Sequence, residues 1–427
     1  MKYRIRNGLL LLFDGKGFLV KKEDLFIDGA KIASIGADNI KNPAEYTLVD
    51  ANNQLIMPGL INSHTHVYMN FMKNSADDLP LHQWLQARIF PIEAKMEKAD
   101  FYWATLLGCV EMIKTGTTCF LDMHICEEEC SRAARDAGMR AFIGKCITGT
   151  DLYSDGLCDF EKALREKAEY ESELLRFVLS PHSVYACSDK LLFQIAQESE
   201  KRNMLKHIHL SESDREVSDC FAKHSKTPVG LLRDIGFLNN KTIAAHCTKV
   251  TEADIVLLAE NGVSVATNPS SNAKLGNGTA PVSAMLQSGV RVCLGTDSAA
   301  SNNTLNLFRE MGIFSVLHKA VNKTATQFTA TEVLKCAILH PAEAFGMCNQ
   351  IGVIKEGAYA DLIFIDLATA SLFPNNDIIA GLCYSANGSE VKSVMINGSF
   401  IMRDRMLTAL DTERIYYEIH RIVDKYI

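Results

Sequence analysis

Two histidines stand one residue apart at the end of an apolar run, in PGLINSHTH at residues 58–66. Side chains at positions i and i+2 of a strand lie on the same face, so His64 and His66 can reach one common ion. Imidazole nitrogens are frequent ligands of divalent transition metals, and a bound divalent ion lowers the pKa of its water to about 7. The spacing therefore predicts a metal site that makes hydroxide available at neutral pH.

Other short apolar runs also end in imidazole or carboxylate side chains. These side chains are His182, His209, Glu212, His246 and Asp297. With the first pair, five of the twelve histidines stand at such ends. The carboxyl ends of parallel strands meet at one face of a barrel, which would bring these groups together. A single buried histidine is common in a protein core, whereas five beside an aspartate indicate a site.

We expect one divalent metal ion without thiolate ligands. The predicted ligands are His64, His66, His209 and Asp297. Imidazole and carboxylate ligands favour Zn²⁺, with Fe²⁺ and Mn²⁺ as alternatives. Barrels that hold two metals resemble one another in using a lysine at the end of the fourth strand as a bridging carbamate. Here His182 stands at that position, which favours a single metal, and Lys145 on the third strand is the alternative lysine.

The spacing His209-x-x-Glu212 resembles that of barrel deaminases, which pair a histidine ligand on the fifth strand with a glutamate three residues on. A protonated carboxyl beside a ring nitrogen can donate its proton as hydroxide adds to the neighbouring carbon. We therefore expect Glu212 to be the catalytic acid, with His246 orienting the attacking water and Asp297 accepting its proton. The alternative for Glu212 is a carboxylate that only begins a helix. The H-x-E and P-C-x-x-C template of other zinc deaminases has no match.

Eight strand candidates occupy the middle of the chain, most of them separated by amphipathic helical stretches. They are LIMPGLINSH, GTTCFLDMH, RAFIGKCI, RFVLSPHSV, LKHIHLSE, KTIAAHCT, VSVATNP and RVCLGTDS. This pattern predicts an α/β fold, a TIM-like (β/α)₈ barrel over residues 56–345. The chain ends, residues 1–55 and 346–427, contain short β-like runs and are expected to form a composite β-sandwich domain with a C-terminal helix. A doubly wound open sheet is the alternative, but the chain has no G-x-G-x-x-G turn.

Charge and composition argue against several other classes. The net charge is −7, from 44 basic and 51 acidic residues, so no surface for nucleic acid is expected. No run approaches the ~18 apolar residues that cross a membrane, and FDGKG interrupts the first apolar run before it could serve as a signal peptide. The 13 cysteines lack regular spacing, which is typical of a cytoplasmic enzyme with reduced thiols. Cys126 and Cys130 have no second pair to complete a structural zinc site.

Several motifs resemble the amidohydrolase superfamily, and more narrowly its 5-methylthioadenosine/S-adenosylhomocysteine deaminase group, which neighbours the triazine hydrolases and guanine deaminases. The likeness runs through nearly the whole chain. The motifs are PGLINSHTH, DDLPLHQWL, SPHSVYACS, HIHLSES, AAHCTKVTEADI, NPSSNAKLGNGTAPV and LGTDSAASNN. The DDLPLHQWL and NPSSNAKLG stretches point toward adenosine-type substrates.

The resemblance implies a set of substrate contacts beside Glu212 and Asp297. Trp84 would pack against the purine, Glu93 would hold the ribose hydroxyls, and His182 would contact the substrate from the fourth strand. The chain departs from the family at Lys145, where arginine is usual, and TGTDLYSDGLCDF at residues 148–160 offers no second arginine. A lysine cannot reproduce the bidentate fork of arginine, so substrates without a carboxylate tail are favoured.

The expected function is hydrolytic deamination of an adenosine-type nucleoside to the inosine analogue and ammonia. Candidate substrates are 5-methylthioadenosine, S-adenosylhomocysteine, 5′-deoxyadenosine and adenosine. The alternatives are a deaminase or chlorohydrolase that acts on guanine, another aminated heterocycle or a triazine, and a non-catalytic assembly protein on the same fold. A homo-oligomer is compatible with this reading, whereas a nucleic acid or a membrane is not an expected partner.

Overall fold

The computed structural model describes residues 1–37, 40, 42–150 and 172–427. Strands in this part of the chain are numbered here in chain order. They are β1 (Lys2–Arg6), β2 (Leu9–Phe13), β3 (Phe18–Lys22), β4 (Leu25–Asp28), β5 (Lys31–Ile35), β6 (Thr47–Asp50), β7 (Gln54–Pro58), β8 (Leu60–Thr65), β9 (Thr117–His124), β10 (Arg140–Ile147), β11 (Leu175–Pro181), β12 (Lys206–Leu210), β13 (Thr242–His246), β14 (Ser264–Thr267), β15 (Arg291–Leu294), β16 (Leu362–Asp366), β17 (Val391–Ile396), β18 (Ser399–Arg403) and β19 (Met406–Leu407).

Strands β8 to β15 form one eight-stranded parallel sheet in chain order. Its two edges meet where the backbone N–H of Asp297 donates to the carbonyl of His64 at 3.0 Å. Gly295 lies at this seam, and a Cβ atom there would stand 2.9 Å from the backbone nitrogen of His64. Helices separate most of these strands, as the alternating pattern predicts. The predicted (β/α)₈ barrel is confirmed.

The described helices surround the barrel and the sheets beside it. The α-helices are Leu81–Trp84, Phe90–Glu93, Lys98–Lys114, Glu127–Asp136, Asp189–Arg202, Asp214–His224, Pro228–Asp234, Glu252–Glu260, Pro269–Lys274, Val282–Gln287, Ala299–Asn302, Leu307–Val321, Ala330–Ala344, Ile378–Tyr384 and Thr412–Tyr426. Two 3₁₀ helices, Pro43–Glu45 and Val67–Met72, and a π-helical turn, Leu85–Ile89, complete them. None of the helices in the described ranges is long and apolar enough to cross a membrane.

The apolar run LIMPGLINSH is not one strand. Gly59 divides it, so that β7 joins an outer sheet and β8 begins the barrel. A Cβ atom at Gly59 would stand 2.1 Å from the side chain of Thr118, which explains the need for glycine at the division. Strand β7 therefore spans the predicted domain boundary between residues 55 and 56, and that boundary stays a prediction.

Both chain ends contribute strands outside the barrel. One sheet has the order β5-β4-β1-β6, and another has the order β19-β18-β17-β16-β7-β2-β3. Buried side chains from both ends, including Leu10, Ile56 and Phe364, share one hydrophobic cluster. The last helix, Thr412–Tyr426, lies against the barrel helix Lys98–Lys114, and the Tyr426 hydroxyl donates to the carbonyl of Lys95 at 3.0 Å.

Candidate active site

Strand β8 and the residue after it deliver the first two predicted ligands. His64 lies within the strand, and His66 immediately follows it. Their Nε2 atoms are 3.3 and 3.6 Å from Oδ1 of Asp297, and the Nε2 atom of His66 is 3.2 Å from that of His209. Four predicted ligands therefore converge on one point at the mouth of the barrel.

Hydrogen bonds at the Nδ1 atoms of two imidazoles determine the protonation state of their Nε2 atoms. The Nδ1 atoms of His66 and His209 are each 2.8 Å from a backbone carbonyl oxygen, of Met123 and His182 respectively. A carbonyl only accepts, so both Nδ1 atoms carry hydrogen and both Nε2 atoms present lone pairs. Two lone pairs that face each other across 3.2 Å need a cation between them. This donor set fits a divalent metal.

Burial keeps these imidazoles neutral, as metal binding requires. It lowers the pKa of His64 to about 3 and lowers the pKa of His66 and of His209 below the ordinary value. Nδ1 of His64 is 2.9 Å from Nε2 of His207, a further buried imidazole. His207 was not among the predicted residues, although HIH repeats the i, i+2 spacing of HTH.

Asp297 follows β15 with a φ of 59°, in the left-handed region that few non-glycine residues adopt. Its carboxylate is divided between two tasks. Oδ1 faces the histidines, while Oδ2 accepts hydrogen bonds from the hydroxyls of Ser271 at 2.5 Å and Ser301 at 2.9 Å.

Glu212 and His246 lie side by side next to these ligands. Oε1 of Glu212 is 3.9 Å from Nδ1 of His246 and accepts a hydrogen bond from Asn277 at 3.0 Å. Burial raises the pKa of Glu212, which favours the protonated form. Oδ1 of Asn272 accepts from Nδ1 of His246 at 2.8 Å and so fixes the ring.

The turn that carries Glu212 is held by a second buried glutamate. Glu216 accepts the backbone N–H groups of Ser211 and Glu212 at 2.9 and 2.8 Å. Ser211 has a φ of 49°, a conformation that such bonds help to maintain. Burial raises the pKa of Glu216 to about 7. The first turn of the next helix therefore fixes the backbone that carries Glu212.

A cavity of about 350 Å³ opens above these groups. Trp84, Glu93 and His182 line it together with Glu212 and Asp297, so the structure brings these predicted substrate contacts to one space. Much of the remaining wall is apolar. It includes Met69, Leu81, Leu85, Ile89, Phe90, Ile125 and Leu275.

Glu93 has a partner that the sequence did not indicate. The hydroxyl of Tyr68 donates to Oε1 of Glu93 at 2.5 Å, while burial raises the pKa of Glu93. Tyr68 is itself buried and lines the same cavity. An aromatic hydroxyl and a carboxyl thus stand together in the wall as a polar pair able to bind hydroxyl groups.

Lys145 is the one predicted substrate contact that does not line this cavity. Its Nζ atom is 3.2 Å from the buried carboxylate of Glu127, in the first turn of helix Glu127–Asp136. The neighbouring Cys146 lines the cavity instead, as expected from alternation along a strand. Of the segment at residues 148–160, residues 151–160 lie outside the described part of the chain. Among the described residues, no lysine or arginine lines the cavity.

Comparisons with known proteins agree with this geometry. The amidohydrolase family profile matches residues 55–401. A 5-methylthioadenosine/S-adenosylhomocysteine deaminase from Thermoanaerobacter pseudethanolicus is 36% identical over 424 residues, which cover 99% of this chain and 98% of the relative. The protein of the same name from Caldanaerobacter subterraneus is 39% identical, covering 96% of this chain and 97% of the relative.

A solved structure is similar over the same extent. An adenosine deaminase from Xanthomonas campestris with bound zinc superposes with a TM-score of 0.94 at 30% identity, and the match covers 99% of this chain and 98% of that one. The predicted class, a hydrolase that acts on carbon–nitrogen bonds, is confirmed. The chain belongs to the amidohydrolase family.

Proposed function

We propose that this enzyme is a metal-dependent hydrolytic deaminase of adenosine-type nucleosides, which it converts to the inosine analogue and ammonia. The substrates in view are 5-methylthioadenosine, S-adenosylhomocysteine, 5′-deoxyadenosine and adenosine. The observation that carries the proposal is the position of Glu212, a buried carboxyl with a raised pKa in the wall of the cavity, beside the converging side chains of the four predicted metal ligands. The names of the full-length relatives support the same reaction.

One divalent ion, Zn²⁺, is the proposed cofactor. His64, His66, His209 and Asp297 would hold it. Their nitrogen and oxygen donors suit zinc, and the similar adenosine deaminase binds zinc. When bound, such an ion makes water acidic enough to supply hydroxide near neutral pH.

The substrate would lie in the cavity with its base toward Glu212. Trp84 and the apolar wall would pack against the purine and an uncharged 5′ group, and Glu93 with Tyr68 would bind the ribose hydroxyls. His182 would contact the substrate from the end of β11. Guanine and triazines have no ribose and would leave Glu93 without a substrate partner, so a nucleoside fits these residues better.

The reaction needs proton transfers at the ring nitrogen, at the attacking water and at the leaving amino group, and separate residues would carry them. Protonated Glu212 would donate to the purine nitrogen next to C6 as water adds to that carbon. His246 would orient the attacking water, and Asp297 would accept its proton. That proton then passes to the amino group, the C6–N bond breaks and ammonia leaves with the electron pair of that bond. The C6 hydroxyl proton would return to Glu212 as the carbonyl of the inosine analogue forms, which restores the acid.

The test is an ultraviolet deamination assay on zinc-loaded protein with the four nucleosides and guanine. Glu212→Ala should lower kcat by at least ~100-fold, the scale of a lost general acid. It should still hold one metal per chain by elemental analysis, because Glu212 is not among the ligands. Glu260→Ala, an exposed glutamate at the end of a distant helix, is the control and should keep full activity.

Two outcomes would contradict the proposal. Near-normal turnover by Glu212→Ala would remove this residue from the mechanism. Zinc-loaded wild-type protein that turns over guanine alone, or no member of the panel, would exclude a nucleoside deaminase.

A further inference from the structure

One asparagine outside the cavity wall contacts the catalytic glutamate of the proposed mechanism. Nδ2 of Asn277 donates to Oε1 of Glu212 at 3.0 Å, and both residues are only 6% exposed. An amide N–H group can only donate, so it stabilises Oε1 as an acceptor. Among the described residues, none donates to Oε2. The contact therefore makes the two oxygens of Glu212 unequal.

This inequality decides where the acid proton lies. If Oε1 accepts from Asn277, the proton of the neutral carboxyl belongs on Oε2. Because Glu212 lines the cavity and Oε1 is already engaged, Oε2 is the oxygen that remains for a substrate nitrogen. A fixed donor on one oxygen also limits rotation of the carboxyl group about χ3, a torsion angle that is otherwise broadly distributed in glutamate.

Asn277 is itself held firmly. It lies just beyond helix Pro269–Lys274, and its backbone N–H donates to the carbonyl of Asn272 within that helix at 2.9 Å. The glycines on either side have φ values of 75° and 87°, a conformation that turns the chain back toward the barrel. Asn277 can therefore act as a rigid support.

The same short segment supports the two other proton-handling residues. Ser271 donates to Asp297, Asn272 accepts from His246, and Asn277 donates to Glu212. All three supporting side chains are polar, uncharged and buried. A segment that only packed against the barrel would have no need of three such contacts, one for each proton-handling group.

We propose that Asn277 is a positioning residue for the deamination, which holds Oε1 of Glu212 so that the proton on Oε2 is aimed at the purine ring. This inference rests on the proposed function. Asn277 does not touch the substrate, and its effect passes through Glu212. Loss of the contact should therefore change the chemical step and leave substrate binding almost unchanged, because misplacement of a reacting group by about 1 Å can cost on the order of 100-fold in rate.

The experiment compares Asn277→Leu, which keeps the size but cannot donate, with the wild-type zinc enzyme on the best nucleoside of the panel. We expect kcat to fall about 10- to 100-fold with KM within about twofold, and zinc content and Tm to stay the same. Asn277→Asp, nearly isosteric, provides a second variant should leucine impair folding, and its kcat should fall at least as far. Asn261 donates its side-chain hydrogen bond to the preceding helix, at the carbonyl of Leu257, and Asn261→Leu is the matched control.

A double-mutant cycle separates positioning from a general structural role. In the Glu212→Gln background, Asn277→Leu should cause no further loss of kcat, because the acid proton that it aims is already gone. Unchanged kcat in folded Asn277→Asp or Asn277→Leu would overturn the positioning role while leaving the deaminase intact. A full additional loss in the Glu212→Gln background would also overturn it. Wild-type enzyme without nucleoside deaminase activity would overturn the proposed function itself.

Discussion

Single atoms of Asp297 show how the site separates binding from support. Oδ1 is directed at the imidazoles, while the hydroxyls of Ser271 and Ser301 occupy Oδ2. A carboxylate with one oxygen fixed in this way directs the other oxygen toward the metal position. Hydrogen bonds from residues around a metal site commonly orient its ligands in this manner. Backbone carbonyls orient the imidazoles of His66 and His209 in the same way, by accepting hydrogen bonds from their Nδ1 atoms.

Ser271→Ala should weaken metal binding about 10- to 100-fold, because Asp297 loses its shortest hydrogen bond. Ser270→Ala is the matched control, since it removes a neighbouring hydroxyl that does not bond Asp297. Competition with a zinc chelator measures both variants. Equal zinc affinities of the two variants would exclude a supporting role for Ser271.

At the scale of elements, helix Leu307–Val321 contacts both segments that carry the serines bonded to Asp297, Ser271 and Ser301. Glu310 on this helix is fully buried and accepts from the backbone N–H of Ser270 at 3.2 Å and from the amide of Asn302 at 2.8 Å. One oxygen thus binds the helix after β14, and the other binds the helix after β15. One carboxyl group therefore links these two helices.

Glu310 should also make stability depend on pH. Burial raises its pKa from 4.5 to about 7, so the folded state binds more protons than the unfolded state between these values. The stabilising contribution is present below about pH 4.5 and is lost as pH rises through about 7. The free energy of unfolding of wild-type protein should fall by up to about 3 kcal/mol over this range from this group.

Urea unfolding at several pH values measures that slope. Glu310→Gln cannot ionise and should show a smaller fall in the free energy of unfolding, although it loses one of the two hydrogen bonds. Glu343→Gln, an exposed glutamate on the next helix, is the control and should keep the wild-type slope. Identical slopes in all three proteins would exclude Glu310 as the source.

At the scale of the whole molecule, a buried ion pair joins the barrel to the outer sheets. Arg140 at the start of β10 donates to both oxygens of Asp361, at 2.6 and 3.2 Å, and to the carbonyl of Glu173 at 2.6 Å. Asp361 also accepts from the backbone N–H of Asn397 at 2.8 Å. The pair therefore links the end of the barrel opposite the active site to strands from the C-terminal part of the chain.

Arg140→Met should lower the free energy of unfolding by about 3–5 kcal/mol, because it leaves Asp361 buried without its partner. Arg176→Met is the matched control on the neighbouring strand, where the arginine is exposed, and should change stability by less than about 1 kcal/mol. Chemical denaturation of the zinc-loaded proteins gives both values. A loss below 1 kcal/mol in Arg140→Met would show that the pair contributes little to joining the two parts.

The sequence by itself determined the barrel and the residue types at its mouth. Strand periodicity is local, so HTH and HIH place their side chains on one face whatever else the chain does, and runs that alternate with helices indicate a parallel barrel. The relative positions of groups far apart in the chain are not local. Only the tertiary structure decided that Lys145 faces Glu127, that Tyr68 meets Glu93, and that NPSSNAKLGN supplies partners for three catalytic candidates. These contacts depend on how helices and loops pack over the barrel, which spacing along one strand does not specify.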